Sequence, residues 1–212
     1  MKQLETILAE KLLKVCAIKL QPESPFTWSS GLHSPIYTDN RVTLSYPAVR
    51  SFIKVELCRI IQEQFPEANA VAGVATGAIA QGALVADTLA LPYVYVRSSA
   101  KDHGLENLIE GKLTPGSKVI VIEDLISTGG SSLKAVNALR NAGCEVVGMV
   151  AMFTYGLPKA QAAFEEANVK LVTLSNYDAM LEAAVASNYI KPEALDTLRE
   201  WRKDPQAWSD MH

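Results

Sequence analysis

Cysteine is scarce in this chain of 212 residues: Cys16, Cys58 and Cys144 stand far apart and lack the spacing of metal ligands. A disulfide scaffold or a zinc centre is therefore not expected, and the three thiols read as buried thiols of a cytoplasmic protein. No apolar run is long enough to span a bilayer, so a membrane partner is not expected either. Charge is close to balance, with Lys+Arg 20 against Asp+Glu 23 and a net of −3, which gives no basic footprint for nucleic acid. Glu5, Glu10 and Lys11 interrupt the first apolar residues, so a secretory leader is not expected. Two phosphate-binding motifs are also missing, the ATP loop G-x-x-x-x-G-K-[ST] and the dinucleotide fingerprint G-x-G-x-x-G. Neither an internal repeat nor a low-complexity stretch is present.

What is present organises around Val119-Ile120-Val121-Ile122-Glu123-Asp124-Leu125-Ile126-Ser127-Thr128-Gly129-Gly130-Ser131. The β-branched run after Pro115-Gly116 predicts a fully buried parallel strand that ends where the polar residues begin, with Glu123 and Asp124 at its carboxyl end. Leu133, Val136, Asn137, Leu139 and Arg140 then fall at helical spacing, so the segment reads strand, loop, helix. Such a loop offers backbone N–H groups and a helix N-terminus to an anion. Carboxylates repel a bare phosphate but accept well from vicinal hydroxyls, so the acidic pair and the small hydroxylated loop together ask for a ligand with two different ends. A ribose 5-phosphate has both.

Along the rest of the chain, Leu4, Ile7, Leu8, Leu12 and Val15 predict an amphipathic first helix. Ala17 to Leu20, Phe26 to Trp28 and Ser34 to Tyr37 read as short strands around the turn residues Ser29-Ser30-Gly31, with Trp28 in hairpin core. Ser45 is the expected N-cap of a helix that ends near Pro66. Strands and helices then alternate: Ala70 to Val74, Ile79 to Leu89, Tyr93 to Val96, the central segment, Glu145 to Phe153, Pro158 to Ala167, Lys170 to Thr173, and a helix capped by Ser175. That alternation implies an α/β fold with a mainly parallel sheet flanked by helices on both faces. The expected organisation is residues 1–45 as N-terminal helix and small β-containing hood, 46–190 as core, and 191–212 as a docked helical tail without chemistry.

The central segment resembles the phosphoribosyl pyrophosphate signature of type I phosphoribosyltransferases. Phe26 to Arg41, with Ser30-Gly31, Ser34-Pro35 and Tyr37, is similar to the hood of the orotate phosphoribosyltransferases, and Arg97-Ser98-Ser99-Ala100-Lys101-Asp102-His103-Gly104 resembles their mobile catalytic loop. Ser98 and His33 stand where relatives commonly carry lysine, and Thr154-Tyr155-Gly156 replaces an arginine that another branch uses on orotate.

The resemblance implies a type I phosphoribosyltransferase fold and transfer of the 5-phosphoribosyl group from phosphoribosyl pyrophosphate to orotate in de novo pyrimidine synthesis. It implies Lys101, His103, Arg97 and Asp124 as catalytic residues. Phosphoribosyl pyrophosphate would be held by Arg97, Lys101, His103, Glu123, Asp124, Leu125, Ile126, Ser127, Thr128, Gly129, Gly130 and Ser131, and orotate by Ser127 and Tyr37. The loop at Thr76-Gly77 would approach the pyrophosphate. Mg2+ is the implied cofactor, held largely by substrate oxygens and water rather than by protein ligands. A homodimer with shared active sites is the implied assembly. Two other readings compete, a purine-base phosphoribosyltransferase, against which the hood speaks, and a non-catalytic sensor of phosphoribosyl pyrophosphate, against which Lys101 and His103 speak.

Overall fold

The computed structural model describes residues 2–28, 30–97 and 108–212. Helix α1 (Lys2–Lys14) buries Leu8 and Leu12 of the expected stripe and half-buries Leu4, while Ile7 is exposed and Leu13 is buried instead. The chain turns at Cys16, which has a φ of 56° and faces solvent, so only Cys58 and Cys144 are the buried thiols expected. Strands β1 (Ile18–Leu20), β2 (Phe26–Thr27), β3 (His33–Ser34) and β4 (Ile36–Thr38) form two antiparallel ladders, β1 with β4 and β2 with β3. They make the hood.

A 3-10 turn, Asn40–Ser45, leads to α2 (Pro47–Gln64). Ser45 closes this turn instead of capping the helix; Tyr46 holds the cap position at φ −114° and ψ 93°, with Pro47 in the first turn. The cause is local: the Asp39 side chain accepts from Arg41 N–H and starts the turn early, and a residue before proline is forced out of the helical region.

The core then runs β5 (Ala70–Val74), α3 (Ile79–Leu89), β6 (Tyr93–Val96), β7 (Ile109–Glu110), β8 (Lys118–Ile126), α4 (Gly130–Asn141), β9 (Glu145–Thr154), α5 (Pro158–Glu166), β10 (Leu171–Asn176) and α6 (Tyr177–Ala186). The sheet order is β10-β9-β8-β5-β6-β7, parallel throughout except for β7, which returns antiparallel to β6. Strand β7 is not visible in the sequence pattern because two residues carry no period. Ile120 and Ile122 belong to the apolar cluster shared with α1, α2 and α6, while Val119 and Val121 belong to the one under α4 and α5. Both faces of β8 are therefore covered, which is why its sequence is a continuous apolar run rather than an alternating one.

Strand β8 also continues beyond that run. Glu123 pairs with Ala151, Leu125 with Phe153 and Ile126 with Thr154, because β9 is long enough to offer partners, so the acidic pair lies inside the ladder rather than beyond its end. Ser175 is similarly a strand residue whose hydroxyl donates to the Glu5 carbonyl at 2.8 Å; Asn176 caps α6 by accepting from Ala179 N–H at 3.0 Å. The tail is two helices, α7 (Leu195–Lys203) and α8 (Pro205–Asp210), broken at Asp204-Pro205, with Trp201 and Trp208 fully buried.

Candidate active site

The chain leaves β5 towards β6 on one side of the sheet, and β8 towards β9 on the other. The strand order thus reverses between β5 and β8, and a crevice opens at the carboxyl ends of those two strands. From β5 the loop Ala75 to Ala78 enters it, with a cis peptide bond between Ala75 and Thr76. From β8 comes the acidic pair. The two meet at Gly77, where a Cβ would overlap the Asp124 carboxylate, so only glycine admits this close approach.

The two carboxylates sit in different surroundings. Glu123 is 3% exposed and both of its oxygens are engaged: Oε1 accepts from Asp124 N–H at 2.9 Å and Oε2 from the buried Ser132 hydroxyl at 2.7 Å. Burial, then the neighbouring Asp124 charge, pushes its carboxyl well above the ordinary carboxylate range, against the opposing pull of Ser132. Asp124 is half-buried and faces the crevice at Gly77. Its carbonyl accepts from Asn40 Nδ2, 2.6 Å away, which ties the start of the 3-10 turn to the acidic pair.

Beyond Ile126 the loop turns at Gly129, whose φ of +81° suits glycine, and α4 begins without a capping side chain. Thr128, Gly130 and Ser131 are exposed while Ile126 and Gly129 are buried. The first turn of α4 holds no acidic residue and presents its N–H groups at the crevice, the arrangement that suits a phosphate.

Beside this loop lies a cavity of about 570 Å³, lined by residues of the hood (Thr27, Trp28, Ser30, Tyr37, Thr38), of β8 and its loop (Leu125, Ser127), and by Tyr155 after β9. Ser127 and Tyr37, both expected at the base, thus share one cavity. Its walls are aromatic and hydroxylated, with the Trp28 and Tyr155 rings stacked at 6.0 Å and the Tyr37 ring 5.7 Å from Phe26. Burial pushes the Tyr155 phenol upward, against an opposing pull from the neighbouring Thr38 hydroxyl, so it keeps its proton. A larger groove of about 620 Å³ lies between α5 and β10, but no residue from Glu123 to Ser131 lines it.

Arg97 stands at the end of β6, where its NH1 is 3.5 Å from Glu110 Oε1. Lys101 and His103 lie outside the described residues, as do Ser98 and Ser29. Among the described residues no three His, Cys, Asp or Glu side chains gather to hold a metal ion. Sequence reading passed over Asn40, Ser132, Thr38 and Tyr155 as parts of this site. Ser132 was within reach, since it directly follows the signature; the other three come near it only through the fold.

The family model for the phosphoribosyl transferase domain matches residues 55–180. Over 208 residues the chain is 65% identical to orotate phosphoribosyltransferase of Bacteroides fragilis, covering 98% of each protein. With the protein of the same name from Listeria innocua it shares 57% identity over 205 residues, covering 97% of this chain and 98% of the relative. Among solved structures, orotate phosphoribosyltransferase from Aeropyrum pernix superposes with a TM-score of 0.74 at 31% identity, over 82% of this chain and 96% of that one.

Proposed function

The chain belongs to the phosphoribosyltransferase family and, within it, to the orotate phosphoribosyltransferases, and from that premise we propose how its residues divide the work. The reaction moves the 5-phosphoribosyl group of phosphoribosyl pyrophosphate to orotate, giving orotidine 5′-phosphate and pyrophosphate in pyrimidine synthesis. The bond between ribose C1 and a pyrophosphate oxygen breaks and a bond from C1 to the base nitrogen forms. Positive charge grows on the ribose ring and negative charge on the leaving group, so stabilising both is the catalytic task.

The observation that carries the assignment is that Ser127 belongs both to the loop ahead of the uncapped α4 and to the aromatic, hydroxylated cavity. A phosphate on the first turn of α4 therefore puts a planar base within reach of that cavity. In this reading Ile126 to Ser131 hold the 5-phosphate. Asp124 holds the ribose hydroxyls with its crevice-facing carboxylate, and Glu123 supports it from behind through Asp124 N–H and Ser132. Tyr37 and Ser127 contact orotate, with Thr38 and Tyr155 beside them as neutral donors. Arg97, Lys101 and His103 meet the departing pyrophosphate, and His103 donates a proton to it, as a group with an ordinary pKa near 6.5 can.

The donor set suits Mg2+ that arrives with the substrate, because Asp124 brings one accessible carboxylate while Glu123 is already engaged. When bound, the ion would neutralise pyrophosphate charge. The proposed active unit is a homodimer in the cytoplasm, with the segment after Arg97 reaching the neighbouring subunit's site. Among the described residues no helix is long and apolar enough to cross a membrane.

The test is the loss of orotate absorbance on adding phosphoribosyl pyrophosphate and Mg2+, run beside adenine, hypoxanthine and uracil. Orotate is expected to be turned over far ahead of the others; preference for a purine base would overturn the reading. Site sharing is tested by mixing inactive Lys101→Ala and Asp124→Asn chains under conditions of demonstrated subunit exchange. Activity returns if sites are shared, because one site of the heterodimer then carries both defects and the other neither. No recovery would mean that each subunit serves its own site.

A further inference from the structure

The cavity that receives the base has a second layer behind it, and that layer comes from the other end of the chain. Trp28 of the hood and Tyr155 of the core are its aromatic wall. Against both of them, and outside the cavity lining, packs Trp201 of α7, which is wholly buried. Its ring stands edge-on to Tyr155 at 5.4 Å and 89°, and edge-on to Trp28 at 5.8 Å and 77°. On its other side it stacks on Tyr177 at 5.6 Å. The Tyr177 hydroxyl donates back to the Leu198 carbonyl of α7 at 3.0 Å, so Trp201 is held by α6 as well as by its own helix.

A second grip lies one helix further on. The backbone N–H of His33, in β3, donates to the Ser209 hydroxyl of α8 at 2.8 Å, across 176 residues of sequence. Helix α8 is fixed in turn by Trp208, whose indole N–H donates to Thr197 Oγ1 at 3.0 Å and whose ring is buried. The hood has two short ladders and little core of its own. The tail therefore holds it on both strands of its β2–β3 hairpin, on either side of the turn, at Trp28 and at His33.

The phosphoribosyl end of the site has no such dependence. Glu123, Asp124, Ser132 and the start of α4 are fixed by one another, by Gly77 and by Asn40, and among the described residues neither Trp201 nor Ser209 makes a ring contact or hydrogen bond with any of them. From this asymmetry we infer that the C-terminal helices α7 and α8 are a positioning element for the base subsite, with Trp201 and Ser209 as positioning residues that act on orotate binding and not on phosphoribosyl pyrophosphate binding. The inference rests on the assignment of the cavity to the base.

The experiment compares the full-length chain with Ser209→Ala, Ser209→Thr, Trp201→Phe and Trp201→Leu, measuring KM for each substrate, kcat and Tm. Trp201→Leu is expected to raise the orotate KM about tenfold while the phosphoribosyl pyrophosphate KM stays within about twofold, since a displaced wall weakens only the ligand it touches. Trp201→Phe keeps an aromatic ring and is expected to recover most of the loss. Ser209→Ala is expected to raise the orotate KM two- to threefold, by order of magnitude, with Tm nearly unchanged, and Ser209→Thr to restore it. Equal rises in both KM values, or a fall in Tm with both unchanged, would overturn the inference. Should Trp201→Leu fail to fold, Ser209→Ala decides, because its half-buried side chain leaves the core intact; an unaltered orotate KM there rejects the proposal. Failure of the underlying assignment is distinguishable through Tyr37→Ala, which alters the cavity lining itself: an unchanged orotate KM there would reject the cavity as the base site, whereas a raised one with unchanged tail variants would reject only the positioning role.

Discussion

The two halves of the site are built in opposite ways. In the proposed reading the phosphoribosyl half is nearly contiguous: residues 119–132 supply strand, acidic pair, loop and helix start and hold one another by short local bonds, with Gly77 and Asn40 the contacts from elsewhere in the chain. The base half is assembled from the hood, from β8, from the turn after β9 and, behind them, from the tail. A nearly contiguous half depends on few remote residues, here Asn40 and Gly77. An assembled half takes its shape from everything that packs on it, so it is tuned by residues that never touch the ligand.

The largest effect that tests this contrast is expected at Asp124. Asp124→Asn keeps the shape but removes the charge facing the crevice, and kcat/KM is expected to fall on the order of 10²- to 10³-fold with little change in Tm. A kcat/KM near that of the parent protein would show that the acidic pair is only a strand end. At the base half, Tyr37→Ala removes an exposed ring from the cavity rim, and the orotate KM is expected to rise by about tenfold at most, leaving the phosphoribosyl pyrophosphate KM alone. A matching rise for both substrates would erase the distinction between the halves.

The boundary between what the sequence reveals and what it conceals follows the same division. Strands β5 and β6 and helix α3 appear at the expected residues because periodicity and flanking glycine act locally. The signature loop is legible for the same reason. Ser45 and Ser175 mislead because a stronger local competitor stands next to each: the Asp39-initiated turn before Tyr46-Pro47, and Asn176. Tyr155 looks like a missing arginine in the sequence, and only the fold reveals it as a wall shared with Trp28 and Trp201. The tail docks as the helical spacing of Leu198 and Trp201 predicts, but its partners in the hood are illegible in the sequence because the contacts span nearly the whole chain.

A third test concerns Glu123, whose carboxyl is pushed up to about 8 by burial and by Asp124. Below an ordinary carboxyl value of 4.5 both folded and unfolded chains bind its proton; between there and about 8 the folded chain holds it more tightly. Stability is therefore expected to fall as pH rises through that window. Glu123→Gln keeps an acceptor for Asp124 N–H and an amide donor for Ser132, so Tm plotted against pH is expected to be flatter than for the parent protein between about pH 5 and 8. Parallel curves for the two proteins would assign the slope to other groups.

The smallest effect is expected at the ion pair of the tail, whose guanidinium also lies 5.5 Å from the centre of the Tyr177 ring. Arg202 NH1 lies 2.7 Å from Asp178 Oδ2, with side chains 28% and 63% exposed. Water screens such a pair, so Arg202→Gln is expected to cost less than about 1 kcal/mol by denaturant titration and to leave both KM values alone. A larger loss would mean that ionic docking, rather than the aromatic stack around Trp201, fixes the base half.

The pairing of β6 with β7 has a consequence for how this chain can change over generations. Arg97 N–H donates to the Leu108 carbonyl at 2.8 Å, and Val96 and Tyr95 continue the ladder with Ile109 and Glu110. The positions on either side of residues 98–107 are thus joined by the sheet itself. Changing the length of a segment joined in this way alters its closure entropy only logarithmically, about 0.6 kcal/mol per doubling. The segment that carries Lys101 and His103 is consequently a cassette: replaced by a short Gly-Ser turn, the protein is expected to keep its Tm within a few degrees while turnover disappears.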